Sequence, residues 1–272
     1  MLKCDKNPLK RLWLNPTILN WNHEPAGGRN EEVHWKRPYE IWSHAESLLH
    51  GDTSDFKRAD ALITLKRVID RRVRQLNAFH HLKGIPIPDK PSGNLEFLEY
   101  IGLIKPIMLQ RLIEIRNAVE HEDATPPTVE ELSIYLEFIW YFLRSTDNNL
   151  RRAIRSFHLQ PAPLDEYSLY WFEVELSDDT GWIPKIRGWV EPDMISIENI
   201  EGWLTLNITE TRTRQEQLER TREEDYRMEP ILKKYGVPDT RGKSPNDTFL
   251  LGEVRGPKEA ILQLIRISLQ VV

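Results

Sequence analysis

The chain has 272 residues, of which 40% are apolar, and it carries a formal net charge of −5. This apolar content is sufficient for a folded core, and the single cysteine, Cys4, excludes a disulfide framework and a cysteine-based zinc cluster. The net charge arises entirely from residues 147–272, so neither half is the strongly basic surface expected of a general nucleic-acid-binding protein.

The first part of the chain predicts an arm followed by two helices. Residues 1–30 contain three prolines and a Gly-Gly pair, which predicts an irregular N-terminal arm. Apolar residues then recur at helical spacing in residues 31–50 and 56–82, and each stretch is typical of a helix with one buried face. The second helix has a basic side that we expect to face solvent, formed by Lys57, Arg58, Lys66, Arg67, Arg71, Arg72 and Arg74.

Three further helices are predicted before residue 146. Glycines and prolines in residues 84–94 indicate a loop, and residues 95–103 form a short helix after it. The next helix spans residues 104–123, and its expected apolar face consists of Ile104, Ile107, Met108, Leu112, Ile115 and Val119. Pro106 suits its first turn, and the Thr-Pro-Pro sequence at 125–127 ends it. A last helix follows at residues 129–143.

Three polar side chains lie near the end of the 104–123 helix. Asn117 and His121 are four residues apart, so they share a face of the helix. Arg116 is offset sideways, but its long side chain can reach round the helix. The sequence therefore predicts three hydrogen-bonding groups beside an apolar stripe.

The pattern changes in the second half of the chain. Residues 147–165 are interpreted as a linker, in which Arg151, Arg152 and Arg155 lie on an expected helical extension. From residue 166, alternating apolar residues predict strands near residues 167–176, 182–190, 203–209 and 248–254. A charged helix is expected at residues 211–235, and a helix or a last strand at 257–269. This part reads as an α+β domain with no recognisable catalytic or metal-binding spacing.

The sequence R-N-A-V-E-H at residues 116–121 resembles the motif of the HEPN superfamily. That signature is an arginine, four to six residues and a histidine, with a polar residue directly after the arginine; Asn117 occupies the polar place. The resemblance covers about residues 31–146 and implies a small helical bundle that dimerises, with the two motifs lining a shared cleft. The predicted fold class is α+β, with an N-terminal all-α HEPN-like helical bundle at 31–146 followed by a smaller α+β domain at 166–272.

The resemblance implies RNA cleavage without a metal, with the 2′-OH as the nucleophile. His121 would transfer a proton, because histidine titrates near neutral pH. Arg116 would stabilise charge on the phosphorane oxygens through its fork of donors, and Asn117 would hold His121 or a phosphate oxygen. Glu120 either orients Arg116 or forms a plain surface ion pair with it.

The basic side of the 56–82 helix adds candidate substrate contacts. Arg71 and Arg74 would hold RNA phosphates if that helix lies beside the motif helix, and a solvated surface is the alternative. The alternative for Arg116, Asn117 and His121 is a structural hydrogen-bond network at a helix end.

The predicted function is a cytoplasmic endoribonuclease of HEPN type, with phage defence or a toxin system as its setting. No cofactor and no metal are expected. The expected partners are RNA, a second copy of the chain and, in a toxin system, an antitoxin or regulatory protein; no membrane is involved. The alternative is a catalytically inactive HEPN dimer that acts as a nucleotide- or RNA-binding module or as a protein-interaction module.

Overall fold

The structure is a computed structural model, and it describes seven ranges of the chain: 10–29, 36–51, 53–151, 153–161, 170–176, 181–216 and 244–271. The chain divides into two compact units. The sheet unit comprises residues 1–27 and 154–268, and the helical unit comprises residues 28–153 and 269–272.

The helical unit is built around one long central helix. Its described residues form five α-helices, which in chain order are α1 (Arg37–Ser47), α2 (Asp55–Phe79), α3 (Asn94–Tyr100), α4 (Ile107–His121) and α5 (Val129–Asp147). Helix α2 contacts α1, α4 and α5, so its apolar side chains form the centre of this unit. Ser54 caps the start of α2, and Thr128 forms a capping box with Glu131 at the start of α5.

A buried charged cluster joins α1, α2 and α5. Arg72 is completely buried, and its Nη2 donates to Asp147 Oδ1 at 2.9 Å. The Tyr39 hydroxyl donates to the other carboxylate oxygen of Asp147 at 2.7 Å. Burial and the hydrogen bond to Asp147 raise the pKa of Tyr39 to about 12, and burial lowers the pKa of Arg72. The side chains therefore fix the relative positions of three helices.

The sheet unit contains one eight-stranded sheet. Its strands in chain order are β1 (Lys10–Leu14), β2 (Asn22–Arg29), β3 (Ala153–Gln160), β4 (Trp171–Glu175), β5 (Lys185–Val190), β6 (Ile195–Ser196), β7 (Leu204–Thr213) and β8 (Thr248–Gly256). The spatial order is β2-β3-β4-β5-β8-β7-β1-β6. The last helix, α6 (Lys258–Ser268), contacts β8.

Burial alternates along the central strands of the sheet. In β5, Ile186, Gly188 and Val190 are buried on one face, and Leu250 and Val254 of β8 are buried on the same face. This two-residue period is typical of a strand with one face in the core. The long apolar stripe of α6 supplies further buried side chains to the same unit.

Gly188 permits the close pairing of β4 and β5. A Cβ at this position would meet the carbonyl oxygen of Trp171 and would lie 2.9 Å from the Cα of Phe172. These are backbone atoms, so they cannot move aside without separating the strands. We expect Gly188→Ala to lower the free energy of unfolding by about 1–3 kcal/mol in urea denaturation. Gly256→Ala in β8 is the matched control, because a Cβ at that position would meet no atom within 4 Å, and an equal loss in both variants would contradict this explanation.

The predicted fold class is wrong in its arrangement. An N-terminal all-α bundle followed by a smaller α+β domain does not describe the chain, because residues 10–29 form β1 and β2 of the sheet and the helices are inserted between β2 and β3. The sheet unit also takes in more residues than the helical unit. Helix and strand together still fit an α+β class in the broad sense. The prolines of residues 1–30 were the reason for predicting an irregular arm. Pro25, however, lies in β2, which is an edge strand where a missing N–H is tolerated.

Two more local predictions are wrong. The expected helical extension ends at Arg151, which follows a 3-10 turn at Asn148–Leu150; Arg155 lies in strand β3, and Arg152 lies outside the described residues. Arg72, expected on the exposed side of α2, is buried against Asp147. The predicted helix at residues 211–235 lies mostly outside the described residues, and its first three residues belong to β7.

In the described part of the chain, no helix combines the length and the apolar character needed to cross a membrane.

Candidate functional site

Helix α4 carries the predicted catalytic residues. It begins directly after Pro106, and its buried stripe is formed by Leu109 and Leu112. Ile107, which the sequence analysis placed on the apolar face, is 75% exposed. The buried face is therefore rotated relative to the prediction, and it runs through positions 109, 112 and 116 at spacings of three and four residues.

Arg116 continues the buried stripe at the end of the helix. Its side chain is only 20% exposed and forms a salt bridge through Nη2 with the carboxylate of Glu120, one helical turn later. Its Nη1 donates to Asn117 Oδ1 at 2.9 Å. Its Nε is buried and has no hydrogen-bond partner among the described residues. The two bonded nitrogens hold the guanidinium in one orientation on its own helix.

His121 is the last residue of α4 and faces solvent. Its side chain is 66% exposed, and its Nε2 lies 3.7 Å from Glu120 Oε2. Asn117, one turn earlier, is also exposed. Glu120 thus contacts both Arg116 and His121, and the four polar residues form one cluster, which we call the α4 cluster: Arg116, Asn117, Glu120 and His121.

Within one chain, the guanidinium and the imidazole approach the same carboxylate oxygen. Residues five apart are separated by about 140° around an α-helix, but Nη2 of Arg116 and Nε2 of His121 both lie against Glu120 Oε2. The arrangement can provide an exposed proton-transfer group beside a fixed cation, with the carboxylate of Glu120 between them.

The proposed substrate-binding arginines lie on the exposed side of α2. Arg71 and Arg74 are both exposed, and Nε of Arg74 donates to the carbonyl oxygen of Asp70 on its own helix. The contact between α2 and α4 places the two helices side by side, as the sequence analysis required. Phosphate binding by these two arginines stays a prediction.

The double contact of Glu120 and the exposure of Ile107 were not predicted from the sequence. The Arg116–Glu120 spacing of four residues was the only available signal for the ion pair. No signal in the sequence indicated the 3.7 Å approach of Glu120 to His121, because residues adjacent in sequence usually diverge on a helix. Among the described residues, no group of three or more histidine, cysteine, aspartate or glutamate side chains is placed to hold a metal ion.

Comparisons with protein-family models, with curated proteins and with solved structures find no match to this chain. The resemblance to the HEPN superfamily therefore depends on the residues of α4 and their context alone.

Proposed function

We propose that the protein is a metal-independent endoribonuclease of HEPN type, which cuts RNA through attack of the 2′-OH in a cleft shared by two protomers. The observation that carries the proposal is the α4 cluster, in which a guanidinium held by two partners lies beside an exposed imidazole at a helix end. An oriented cation and a group that transfers protons near neutral pH are two of the three requirements of this reaction, and alignment of the 2′-OH attack is the third.

Each residue of the cluster has a proposed role. His121 moves the proton of the 2′-OH or of the leaving 5′ oxygen, and its exposure gives the phosphodiester access to it. Arg116 stabilises the negative charge of the phosphorane, and Asn117 holds its guanidinium or a phosphate oxygen. Glu120 positions both side chains. The products are a 2′,3′-cyclic phosphate and a 5′-OH.

A homodimer is part of the proposal because the resemblance to the HEPN superfamily implies a cleft shared by two protomers. The helical unit exposes large apolar side chains that association would cover: Phe56 is 85% exposed, Ile107 is 75% exposed and Ile134 is 61% exposed. Each of these side chains would leave water in an interface formed by its helix, so each is a candidate contact of a second protomer. Arg71 and Arg74 would then add positive charge for the RNA backbone.

The proposed setting is the cytoplasm, where RNA is the substrate and phage defence or a toxin system is the biological role. In a toxin system, an antitoxin or regulatory protein would control the activity. No cofactor is needed for the proposed chemistry.

The first experiment is cleavage of a mixed RNA pool by the purified full chain in EDTA. We expect the wild type to cut and to leave cyclic phosphate ends, and Arg116→Ala and His121→Ala each to lose activity by about a hundredfold or more. Arg111→Ala is the matched control, because Arg111 also forms an ion pair on α4 but lies outside the cluster. His44→Ala on α1 is the control for an exposed histidine. Full activity in either cluster variant would reject the assignment.

Mixing the two inactive variants tests the shared cleft. If Arg116 of one protomer acts with His121 of the other, a heterodimer of Arg116→Ala and His121→Ala contains one complete pair. We therefore expect a mixture of the two variants to recover part of the wild-type activity, while each variant alone does not. No recovery in a mixture that exchanges subunits would contradict the pairing of Arg116 of one protomer with His121 of the other.

One observation favours the alternative of a catalytically inactive dimer that binds nucleotides or RNA, or that acts as a protein-interaction module. Two nitrogens of Arg116 are already bonded to Glu120 and Asn117, so the guanidinium serves a structural purpose within the helix. This alternative predicts that wild-type protein binds RNA without cutting it, and that Arg116→Ala weakens binding or lowers stability only.

A further inference from the structure

A groove on the helical unit lies between α1 and α5, apart from the α4 cluster. Its cavity volume is about 470 Å³, and its lining comes from these two helices and the residues just after α1. Pockets of this size commonly hold small organic ligands. None of the α4 cluster residues is part of the lining.

Three aromatic side chains line the groove. Trp42 is fixed by a hydrogen bond from its Nε1 to the carbonyl oxygen of Leu136, at 2.8 Å. Trp140 and Tyr141 pack edge to face, with ring centroids 5.2 Å apart. They remain 37% and 57% exposed. The groove therefore presents aromatic surface that is held in place and open to a ligand.

The charged groups of the lining are predominantly acidic. Glu46 and Glu137 contribute carboxylates and His50 a single imidazole, and the ten described lining residues include no lysine or arginine. The negative face of an aromatic ring attracts a cation, as does a carboxylate. An anion would meet repulsion from both. The lining is thus complementary in charge to a positively charged ligand.

The chain itself shows that one of these rings accepts a cation. The guanidinium carbon of Arg144 lies 5.5 Å from the centre of the Trp140 ring. Arg144 is itself 58% exposed and lies 3.8 Å from Asp147, outside the lining. A second cation at Trp140 would be repelled by Arg144, so this arginine provides a test of the sign of the ligand's charge.

We infer that the groove between α1 and α5 binds a small organic ammonium ion, with Trp42, Trp140 and Tyr141 around its alkyl groups and Glu46 and Glu137 facing its charge. The inference is independent of the ribonuclease proposal, because it uses none of the α4 cluster. The expected ligand is a free small molecule of the quaternary or alkylammonium class.

The test is calorimetric titration of the full chain with choline, beside its neutral isostere 3,3-dimethylbutan-1-ol and with sodium chloride at matched ionic strength. We expect saturable binding of choline and binding of the isostere that is weaker by about tenfold or more. Equal binding of the two would overturn the inference, since the groove would then recognise apolar shape alone. No heat and no saturation with choline would overturn it as well.

Variants of the groove distinguish the contribution of charge to choline binding from that of the aromatic surface. Trp140→Ala and Glu137→Gln are expected to weaken choline binding by about tenfold, and Arg144→Gln to strengthen it. Glu99→Gln, an exposed glutamate on α3 outside the lining, is the matched control and should bind as the wild type does. Thermal unfolding of each variant verifies that the helical unit remains folded.

The signs of the variant effects decide the result. Weaker binding in Arg144→Gln together with tighter binding in Glu137→Gln would identify an anion site and contradict the inference. A third outcome concerns a second copy of the chain. If associated chains do not bind choline, and Trp140→Ala abolishes the association, then a second copy occupies the groove and the inference is overturned.

Discussion

Replacing Asp147 with alanine is expected to lower the free energy of unfolding by about 3–5 kcal/mol. The carboxylate of Asp147 accepts hydrogen bonds from Arg72 at 2.9 Å and from Tyr39 at 2.7 Å, and Arg72 is completely buried. Without Asp147, the guanidinium would stay in the core with no opposite charge, or the helices would open to admit water. Urea unfolding near pH 7.5, followed by circular dichroism, measures this loss.

The size of that loss comes from an unpaired charge and not from a strong attraction. Nε and Nη1 of Arg72 are already buried without a hydrogen-bond partner among the described residues. Burying an ion pair costs free energy of solvation that the attraction only partly offsets. We therefore expect the double variant Arg72→Met with Asp147→Leu to be more stable than Asp147→Ala alone.

Tyr39→Phe is the control for the hydrogen bond. It removes one donor to Asp147 but leaves the ion pair, so a loss of about 1 kcal/mol is expected. Equal losses in Tyr39→Phe and Asp147→Ala would mean that the buried charge of Arg72 contributes nothing to the effect. A double variant less stable than Asp147→Ala would mean that the ion pair itself is a net source of stability.

Local patterns in the sequence predicted the long helices but not their partners. Helices α2, α4 and α5 have enough turns for apolar residues to reveal a period. Arg72 was predicted to be exposed like the neighbouring basic residues, because a single buried arginine does not change the helical period of the apolar residues. Its partner Asp147 is 75 residues away, and such a pairing leaves no local signal.

The sheet was harder to predict because its strands pair across long separations. Strand β1 pairs with β7, and Leu12 lies opposite Leu206, so five residues near the N-terminus become a strand only in the presence of a distant one. In β3, Phe157 and Leu159 alternate as a strand requires, but the preceding arginines favoured a helix. The existence of strands β5 and β8 was predicted correctly, since aromatic and branched residues alternate within them.

The sequence predicted which positions of α4 carry the candidate site, but not which side of the helix is buried. The spacing of Asn117 and His121 places them on one exposed face, and the structure has both exposed. The rotation of α4 was not predictable, because Ile107 and Leu109 are equally apolar in sequence and only packing on α2 decides which is buried. That rotation partly buries Arg116, whereas His121 at the end of the helix stays exposed.

The second large effect is expected on acidification, and it depends on His80. This side chain is only 6% exposed at the end of α2, and its Nε2 donates to the carbonyl oxygen of Asn149 at 2.6 Å. Burial lowers the pKa of His80 to about 4. The folded state therefore favours the neutral ring, whereas the unfolded chain accepts a proton at about pH 6.5.

The direction of the pH effect follows from this depressed pKa. The neutral ring stabilises the folded state fully above about pH 6.5, and this contribution is lost as the pH falls towards 4. Between about pH 7.5 and pH 5, the wild type is expected to lose about 2 kcal/mol of unfolding free energy through His80 alone. Urea unfolding at the two pH values measures the change.

A glutamine at position 80 isolates this contribution, because its amide can donate to Asn149 but does not titrate. We expect His80→Gln to lose about 2 kcal/mol less than the wild type over the same pH range. His44→Gln on the exposed part of α1 should follow the wild type, since its imidazole is not enclosed. If His80→Gln shows the full wild-type loss, protonation of His80 does not drive acid unfolding.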